Sequence, residues 1–157
     1  MDATTPSPAD RYLEPGWFTR NVFNRLMTGL TRLGISLRGA RKLAVQGRTT
    51  GAWRTVPVNP LELDGHTFLV APRGQTQWVR NLRAAGGHAE LHLGRTIEPI
   101  STTEVSDADK PPVLREYVRR WKSEVGVFFD GIDETSSDAE LLAIAPGFPV
   151  FELVDAA

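Results

Sequence analysis

The sequence contains no cysteine, and this absence removes several kinds of chemistry at once. Disulfide bonds, thiolate metal sites and cysteine nucleophiles are all excluded. The first fifteen residues also lack a long apolar run, so we expect neither a signal peptide nor a membrane-spanning segment at the start of the chain. A protein of the reducing cytoplasm is compatible with both absences.

Motifs of several large enzyme classes are absent too. The chain has no G-x-S-x-G, no H-E-x-x-H, no P-loop and no G-x-G-x-x-G. His88 and His92 share one face of a predicted strand, but a zinc site needs a third and a fourth ligand, so we expect no metal.

Acidic residues are missing from a long stretch of the chain. Between Trp17 and Leu61 there are eight basic residues and no acidic one, whereas thirteen acidic and five basic residues follow from Glu98 onward. The net charge of −1 therefore hides two regions of opposite sign. Because the basic region lacks interleaved exposed aromatic residues beyond Trp53, we expect no nucleic-acid binding.

Length and composition predict a short arm followed by one domain. Residues 1–15 contain three prolines and are interpreted as a flexible arm, and residues 16–157 are long enough for a single domain with a buried core. Over residues 17–33, apolar residues recur every three or four positions, which predicts an amphipathic helix. This helix either covers one end of the domain or lies with its arginines on the anionic inner face of a membrane.

Short apolar or alternating runs bounded by Gly, Pro and Asp predict strands throughout the chain. Asp64-Gly65 is the strongest hairpin signal, because Gly accepts the positive φ that a two-residue turn needs. A helix is predicted over Gln77–Ala85, with Thr76 as its N-cap and Gly86-Gly87 as its stop. Further helices are predicted after Ser106, so the fold class is mainly β with helices (α+β). The predicted strands are Lys42–Gln46, Thr55–Leu63, Thr67–Ala71, His88–Leu93, Thr96–Val105 and Pro149–Val154.

Polar groups at the turns between Ala44 and Ala85 predict a binding cleft. The start of the helix after Thr76 favours an anion, because its first N–H groups are unpaired and the helix dipole is positive there. Arg73 would add a formal charge beside it, and Arg48 and Arg54 flank the neighbouring turn.

Two residues of that helix narrow the interpretation of the cleft. Trp78 and Asn81 are three positions apart and so lie near one another on the helix surface, where an aromatic plane adjoins an amide. In the alternative interpretation, Trp78 packs in the core with Leu82 and the arginines at the turns are solvated.

Four motifs, in this order, resemble the deazaflavin-dependent nitroreductase family. Its members have a G-R-x-[ST]-G turn, an R-x-x-P-[LV] strand, a small-residue loop and a W-x-x-N-L helix. The resemblance covers roughly Lys42 to Val105. The matching segments are Gly47-Arg48-Thr49-Thr50-Gly51, Arg54-Thr55-Val56-Pro57-Val58, Val70-Ala71-Pro72-Arg73-Gly74 and Trp78-Val79-Arg80-Asn81-Leu82.

This resemblance implies a split β-barrel like those of pyridoxamine-phosphate oxidases and FMN-binding barrels. It also implies an oxidoreductase that binds the 5-deazaflavin coenzyme F(420) and passes a hydride to a quinone, a nitroaromatic compound or an activated enone. The implied contacts are Arg48, Thr49 and Arg54 with the phosphate or polyglutamate tail, Pro57, Val58 and Asn59 with the deazaflavin ring, and Ala71, Pro72, Arg73, Gly74, Gln77, Trp78 and Asn81 with the phosphate and ribityl chain.

Several alternatives stay open within this resemblance. Catalysis would depend on positioning, with Asn59 near the ring and a closing segment near Phe128 beside the acceptor. FMN is the alternative cofactor, because the spacing of polar residues alone does not distinguish it from the deazaflavin. This chain differs from many members at Thr49, Pro72 and Asn59, and these differences favour an alternative function. The alternative function is non-catalytic transport of a flavin, a fatty acid or a pigment. Split barrels of this type often pair, so a homodimer is a further expectation.

Overall fold

The computed structural model describes residues 8–12, 41–125, 128–129 and 131–154. Within these residues a seven-stranded sheet has the strand order β2-β1-β5-β6-β7-β4-β3, and each neighbouring pair is antiparallel. The predicted class, mainly β with helices, is confirmed. The strands are β1 (Arg41–Gln46), β2 (Trp53–Val58), β3 (Leu61–Leu63), β4 (His66–Val70), β5 (His88–Leu93), β6 (Thr96–Glu104) and β7 (Val150–Val154). The helices are α1 (Gln77–Ala84), α2 (Pro111–Val125) and α3 (Asp138–Ile144), with single 3-10 turns at Pro8–Asp10, Asp107–Asp109 and Ala145–Gly147.

Turn chemistry explains where the first strands begin and end. Asp64 and Gly65 both have positive φ, at 51° and 80°, and they connect β3 to β4 as the hairpin signal predicted. The single strand predicted over Thr55–Leu63 is wrong, because β2 ends at Val58 and β3 begins at Leu61. Pro60 lies in this break, and proline has no N–H to donate to a strand ladder.

The two faces of the sheet carry separate hydrophobic clusters. Leu69 and Phe151 pair across β4 and β7 and point toward α1, whereas Val70 and Val150 pair one residue away and point toward α2 and α3. We call these the α1 cluster and the α2–α3 cluster. The α1 cluster also contains buried residues of β1, β5 and β6, so α1 lies over the centre of the sheet. In that position α1 follows the loop after β4, and its residue Asn81 contacts the β1–β2 turn at Arg48.

The N-terminal residues are described only in part. Residues 8–12 pack against the barrel, and Tyr12 forms an isolated antiparallel bridge with Gly74. The rest of the predicted arm and the predicted helix over residues 17–33 lie outside the described residues. The division into residues 1–15 and 16–157 stays a prediction.

Candidate functional site

The loop between β4 and α1 turns sharply at Gly74. Gly74 has φ of +85°, its N–H donates to the Ala71 carbonyl at 3.2 Å, and its own carbonyl accepts from the Thr76 N–H at 2.8 Å. A Cβ at Gly74 would lie 2.0 Å from the Arg11 carbonyl oxygen, so only glycine fits here. The turn at Gly74, directly after Arg73, therefore fixes the direction in which the chain enters α1.

The N-terminus of α1 has no side-chain cap. Thr76 occupies the predicted N-cap position with extended backbone, yet its hydroxyl makes no capping hydrogen bond. That hydroxyl oxygen is buried and has no hydrogen-bond partner among the described residues. The first turn of α1 carries no acidic residue either. The first N–H groups of α1 and the positive end of its dipole are thus available to an anion.

Two predicted site residues meet at the β1–β2 turn. Asn81, which is 3% exposed on α1, accepts hydrogen bonds through Oδ1 from the Arg48 backbone N–H at 3.1 Å and from Arg48 Nη1 at 2.7 Å. The turn is closed by hydrogen bonds from the Gly51 N–H to the Gly47 carbonyl and from the Gly47 N–H to the Ala52 carbonyl, both at 2.8 Å. This contact, the Arg48–Asn81 clip, ties the β1–β2 turn to α1.

Trp78 packs partly in the core, as one of the two interpretations predicted. Its half-buried ring lies 5.9 Å from the ring of Phe151 and packs on the α1 cluster. Val56, Val58 and Leu153 are also partly buried against this cluster. These four side chains pack on the α1 cluster with part of their apolar surface exposed, and we call that exposed surface the apolar floor. A planar ring can contact apolar surface of this kind.

Strand register sorts the predicted residues of β2 between the two faces. Arg54 pairs with Val45 and Val58 pairs with Arg41, so both side chains lie on the face that carries α1. Pro57 is one residue away, and its side chain lies on the opposite face. A contact from Pro57 to a ligand beside α1 would therefore have to involve its backbone. Asn59 follows the end of β2, in the break before β3.

Positive charge collects around the start of α1. Arg73 is half-buried, and burial lowers its pKa while the nearby Tyr12 partly opposes this effect. Arg54 and Arg48 are exposed at the neighbouring turn, and a Cβ at Gly47 would lie 3.5 Å from Arg54 Nε. Arg48 and Arg54 belong to the stretch between Trp17 and Leu61, which contains no acidic residue. This environment favours a ligand that carries phosphate or carboxylate groups.

Phe128 lies apart from this cleft. Its side chain is 7% exposed and belongs to the α2–α3 cluster, and the adjacent Phe129 stacks on Phe148 with 4.4 Å between ring centroids. The structure does not bring the Phe128 ring together with the residues beside α1. Its backbone carbonyl is nevertheless connected to the Pro72 carbonyl through Arg11, which donates to both.

Arg11 is the main residue that the sequence analysis missed. Its guanidinium donates to the carbonyls of Pro72 at 2.7 Å, Phe128 at 3.0 Å and Gly147 at 3.1 Å, and it lies 4.1 Å from the centroid of the Phe148 ring. No local pattern signals this role, because every partner oxygen belongs to the backbone of a distant segment.

A concave region adjoins the start of α1. This open basin has a volume of about 470 Å³, and its charged side chains are largely paired. Arg83 donates to Glu104 at 2.9 and 2.6 Å, which raises the pKa of Arg83, and Lys110 Nζ lies 2.6 Å from Asp107 Oδ1. The polar lining distinguishes this basin from the apolar floor beside Trp78. Its polar lining residues are Gln75, Arg80, Arg83, Glu104, Asp107 and Lys110.

The described residues contain neither a cluster suited to a metal ion nor a helix suited to crossing a membrane. Among residues 8–12, 41–125, 128–129 and 131–154, no group of three or more His, Asp or Glu side chains could hold a metal ion. In the same part of the chain, no helix has both the length and the apolar character needed to cross a membrane.

Comparison with known proteins gives a family and a fold. A family model described as F(420)H(2)-dependent quinone reductase matches residues 18–134. The fold is similar to a solved F(420)-H(2) dependent reductase, with a TM-score of 0.51 and 17% identity over 74% of this chain and 95% of that one. An FAD-binding protein from Mesorhizobium loti is similar with a TM-score of 0.47 and 11% identity over 83% and 88% of the two chains. No curated protein matches the chain. The split-barrel expectation is thus confirmed.

Proposed function

The chain belongs to the F(420)H(2)-dependent quinone reductase family, and from that premise we propose that it transfers a hydride from reduced F(420) to a quinone. The observation that carries this proposal is the uncapped start of α1, where the Thr76 hydroxyl has no partner among the described residues. A phosphate group would accept from that hydroxyl and from the first N–H groups of α1. The donor set therefore fits the phosphate-bearing chain of F(420).

We propose that the cofactor extends along the predicted residues around α1. Arg73, Gly74 and Gln77 adjoin the start of α1 and would hold the phosphate. Arg48 and Arg54, with Thr49 between them, would hold the acidic tail, because guanidinium groups bind carboxylates well. The remaining predicted contacts would be made by Ala71, Pro72, Trp78 and Asn81 with the phosphate and ribityl chain, and by Pro57, Val58 and Asn59 with the ring.

The protein's own task in this reaction is positioning. Bound F(420) in its reduced form supplies the hydride, so the chain needs no nucleophile or metal. The apolar floor formed by Val56, Val58, Trp78 and Leu153 would support the ring and exclude water from one side. Backbone N–H groups near Asn59 would favour the negative charge that develops on the quinone oxygen.

The experiment is a turnover assay with reduced F(420) and a soluble quinone such as menadione. We expect the visible absorbance of oxidised F(420) to return only when enzyme and quinone are both present. An enone and a nitroaromatic compound, tested in parallel, define the acceptor class. Turnover with reduced FMN, and not with reduced F(420), would assign FMN as the cofactor. Binding of the cofactor without turnover on any acceptor would favour the alternative function, non-catalytic transport.

The other expected partners are also proposals. Trp53 of β2 and Ile97 of β6 lie on the face opposite α1, where they are 52% and 55% exposed. This supports pairing of two copies, which sedimentation velocity would detect as a dimer. Contact of residues 17–33 with the inner face of a membrane stays a prediction for a cytoplasmic protein, and co-sedimentation with anionic vesicles would test it.

A further inference from the structure

We propose that Arg11 is a positioning residue for the cofactor loop, which consists of residues 72–75. This inference rests on the proposed function, because the cofactor loop leads directly into the start of α1. The residues that carry it are Pro8–Tyr12, which we call the strap. The strap precedes the cofactor loop by some sixty positions, and no sequence motif connects the two.

The strap is attached to the cofactor loop through the backbone. The Gln75 N–H donates to the Arg11 carbonyl at 2.8 Å, and Tyr12 forms a β-bridge with Gly74. The same carbonyl oxygen occupies the space that a Cβ at Gly74 would need. The strap therefore covers the outer side of the loop at the point where the chain turns toward α1.

The Arg11 side chain extends this attachment to two more segments. One guanidinium donates to the carbonyls of Pro72, Phe128 and Gly147, which lie 61, 117 and 136 positions away in the sequence. Arginine suits this role because its planar fork donates in several fixed directions. The arrangement fixes the distance between the cofactor loop and the segment at Phe128.

The charge of Arg11 reinforces the anion preference of the site. Burial lowers its pKa, and the partners that the structure gives it are carbonyl oxygens and the Phe148 ring, with no carboxylate among the described residues. A guanidinium stays protonated in such surroundings. Its positive charge is thus held next to the Pro72 carbonyl, on the loop that Arg73 continues.

The test uses two variants that disturb the strap from different places. Arg11→Ala removes the three side-chain hydrogen bonds. Gly147→Ala introduces a Cβ 2.9 Å from the Pro8 carbonyl oxygen and 3.0 Å from Arg11 Cδ, so the strap must shift although no predicted cofactor residue changes. Arg119→Ala is the matched control, because Arg119 is exposed and pairs with Glu116 on the surface of α2.

We expect Arg11→Ala and Gly147→Ala to raise the dissociation constant for F(420) about tenfold or more, as the loss of a charged hydrogen bond does. The turnover number at saturating F(420) should change much less, because the loop positions the cofactor and does not contact the acceptor. Millimolar guanidinium chloride should restore part of the affinity in Arg11→Ala, whereas sodium chloride at equal ionic strength should not. The control should resemble the wild type.

Two results would overturn the inference. One is wild-type affinity in both folded variants. The other is a loss of affinity that guanidinium does not restore and that merely follows a lowered melting temperature. If the wild type itself binds no F(420), the proposed function fails and the cofactor role of Arg11 fails with it. Amide exchange at Gln75 separates these cases, since it reports the strap without cofactor and should accelerate in Arg11→Ala.

Discussion

Replacing Asn81 by Ala should loosen the connection between the β1–β2 turn and α1. The change removes the acceptor of two hydrogen bonds, one from the Arg48 backbone and one from its guanidinium. A neutral hydrogen bond contributes about 0.5–1.5 kcal/mol and one to a charged group about 1.5–3 kcal/mol. Because Arg48 is exposed and regains water, we expect a total loss of about 1.5–3 kcal/mol in the free energy of unfolding.

Thermal denaturation followed by circular dichroism measures this loss. For a chain of 157 residues, it corresponds to a melting temperature lowered by roughly 3–12 °C. Arg48→Met is the matched variant, because it removes the guanidinium bond and leaves the backbone bond to Asn81. We expect about half the effect there, and the double variant should lose less than the sum of the two single changes. A melting temperature equal to the wild type in Asn81→Ala, or strict additivity in the cycle, would refute the Arg48–Asn81 clip.

Three further predictions concern the cofactor, acid stability and a turn. Arg73→Ala and Arg54→Ala should each weaken F(420) binding by about 1.5–3 kcal/mol, measured by fluorescence titration, and unchanged affinity in both would move the site elsewhere. Hydrogen bonding to Arg119 and Arg120 lowers the pKa of Glu116 to about 2, so its stabilising contribution is complete above pH 4.5 and is lost as the pH falls toward 2. In Glu116→Gln, the free energy of unfolding measured with urea should therefore change less between pH 4.5 and pH 2. The difference from the wild type should be at most about 1 kcal/mol, because this network is exposed. Identical pH profiles would contradict the lowered pKa of Glu116. Gly65→Ala should lower the free energy of unfolding by about 1–2 kcal/mol, because φ at this position is 80°. Gly47→Ala is the comparison variant, because φ at Gly47 is not positive.

Local chemistry explains which parts of the fold the sequence predicted correctly. The hairpin at Asp64-Gly65 depends on two adjacent residues and their φ angles. The start of α1 after Thr76 is also where the sequence predicted it, although the Thr76 hydroxyl makes no capping hydrogen bond. The strand over Thr55–Leu63 was predicted too long because its apolar pattern continues through Asn59-Pro60. Proline at that point interrupts the ladder, which a pattern of apolar residues does not register.

The candidate site was predictable as a set of residues but not as a set of contacts. Motif spacing singled out Arg48 and Asn81 separately, yet their hydrogen bonds depend on how α1 packs over the sheet. The N-cap position of Thr76 was predicted as well, whereas its unpaired hydroxyl depends on a rotamer that packing decides. Arg11 could not be found, because backbone carbonyls are present at every position and leave no signature in a sequence.

Binding of F(420) is tested most directly by titrating the oxidised coenzyme into the purified protein and following the quenching of its four tryptophans. FMN is titrated in parallel. Trp78 lies on the apolar floor beside α1, so a bound deazaflavin should quench it. We predict saturable binding of F(420) at micromolar concentrations and much weaker binding of FMN. Saturable binding of FMN alone, or of neither ligand, would contradict it.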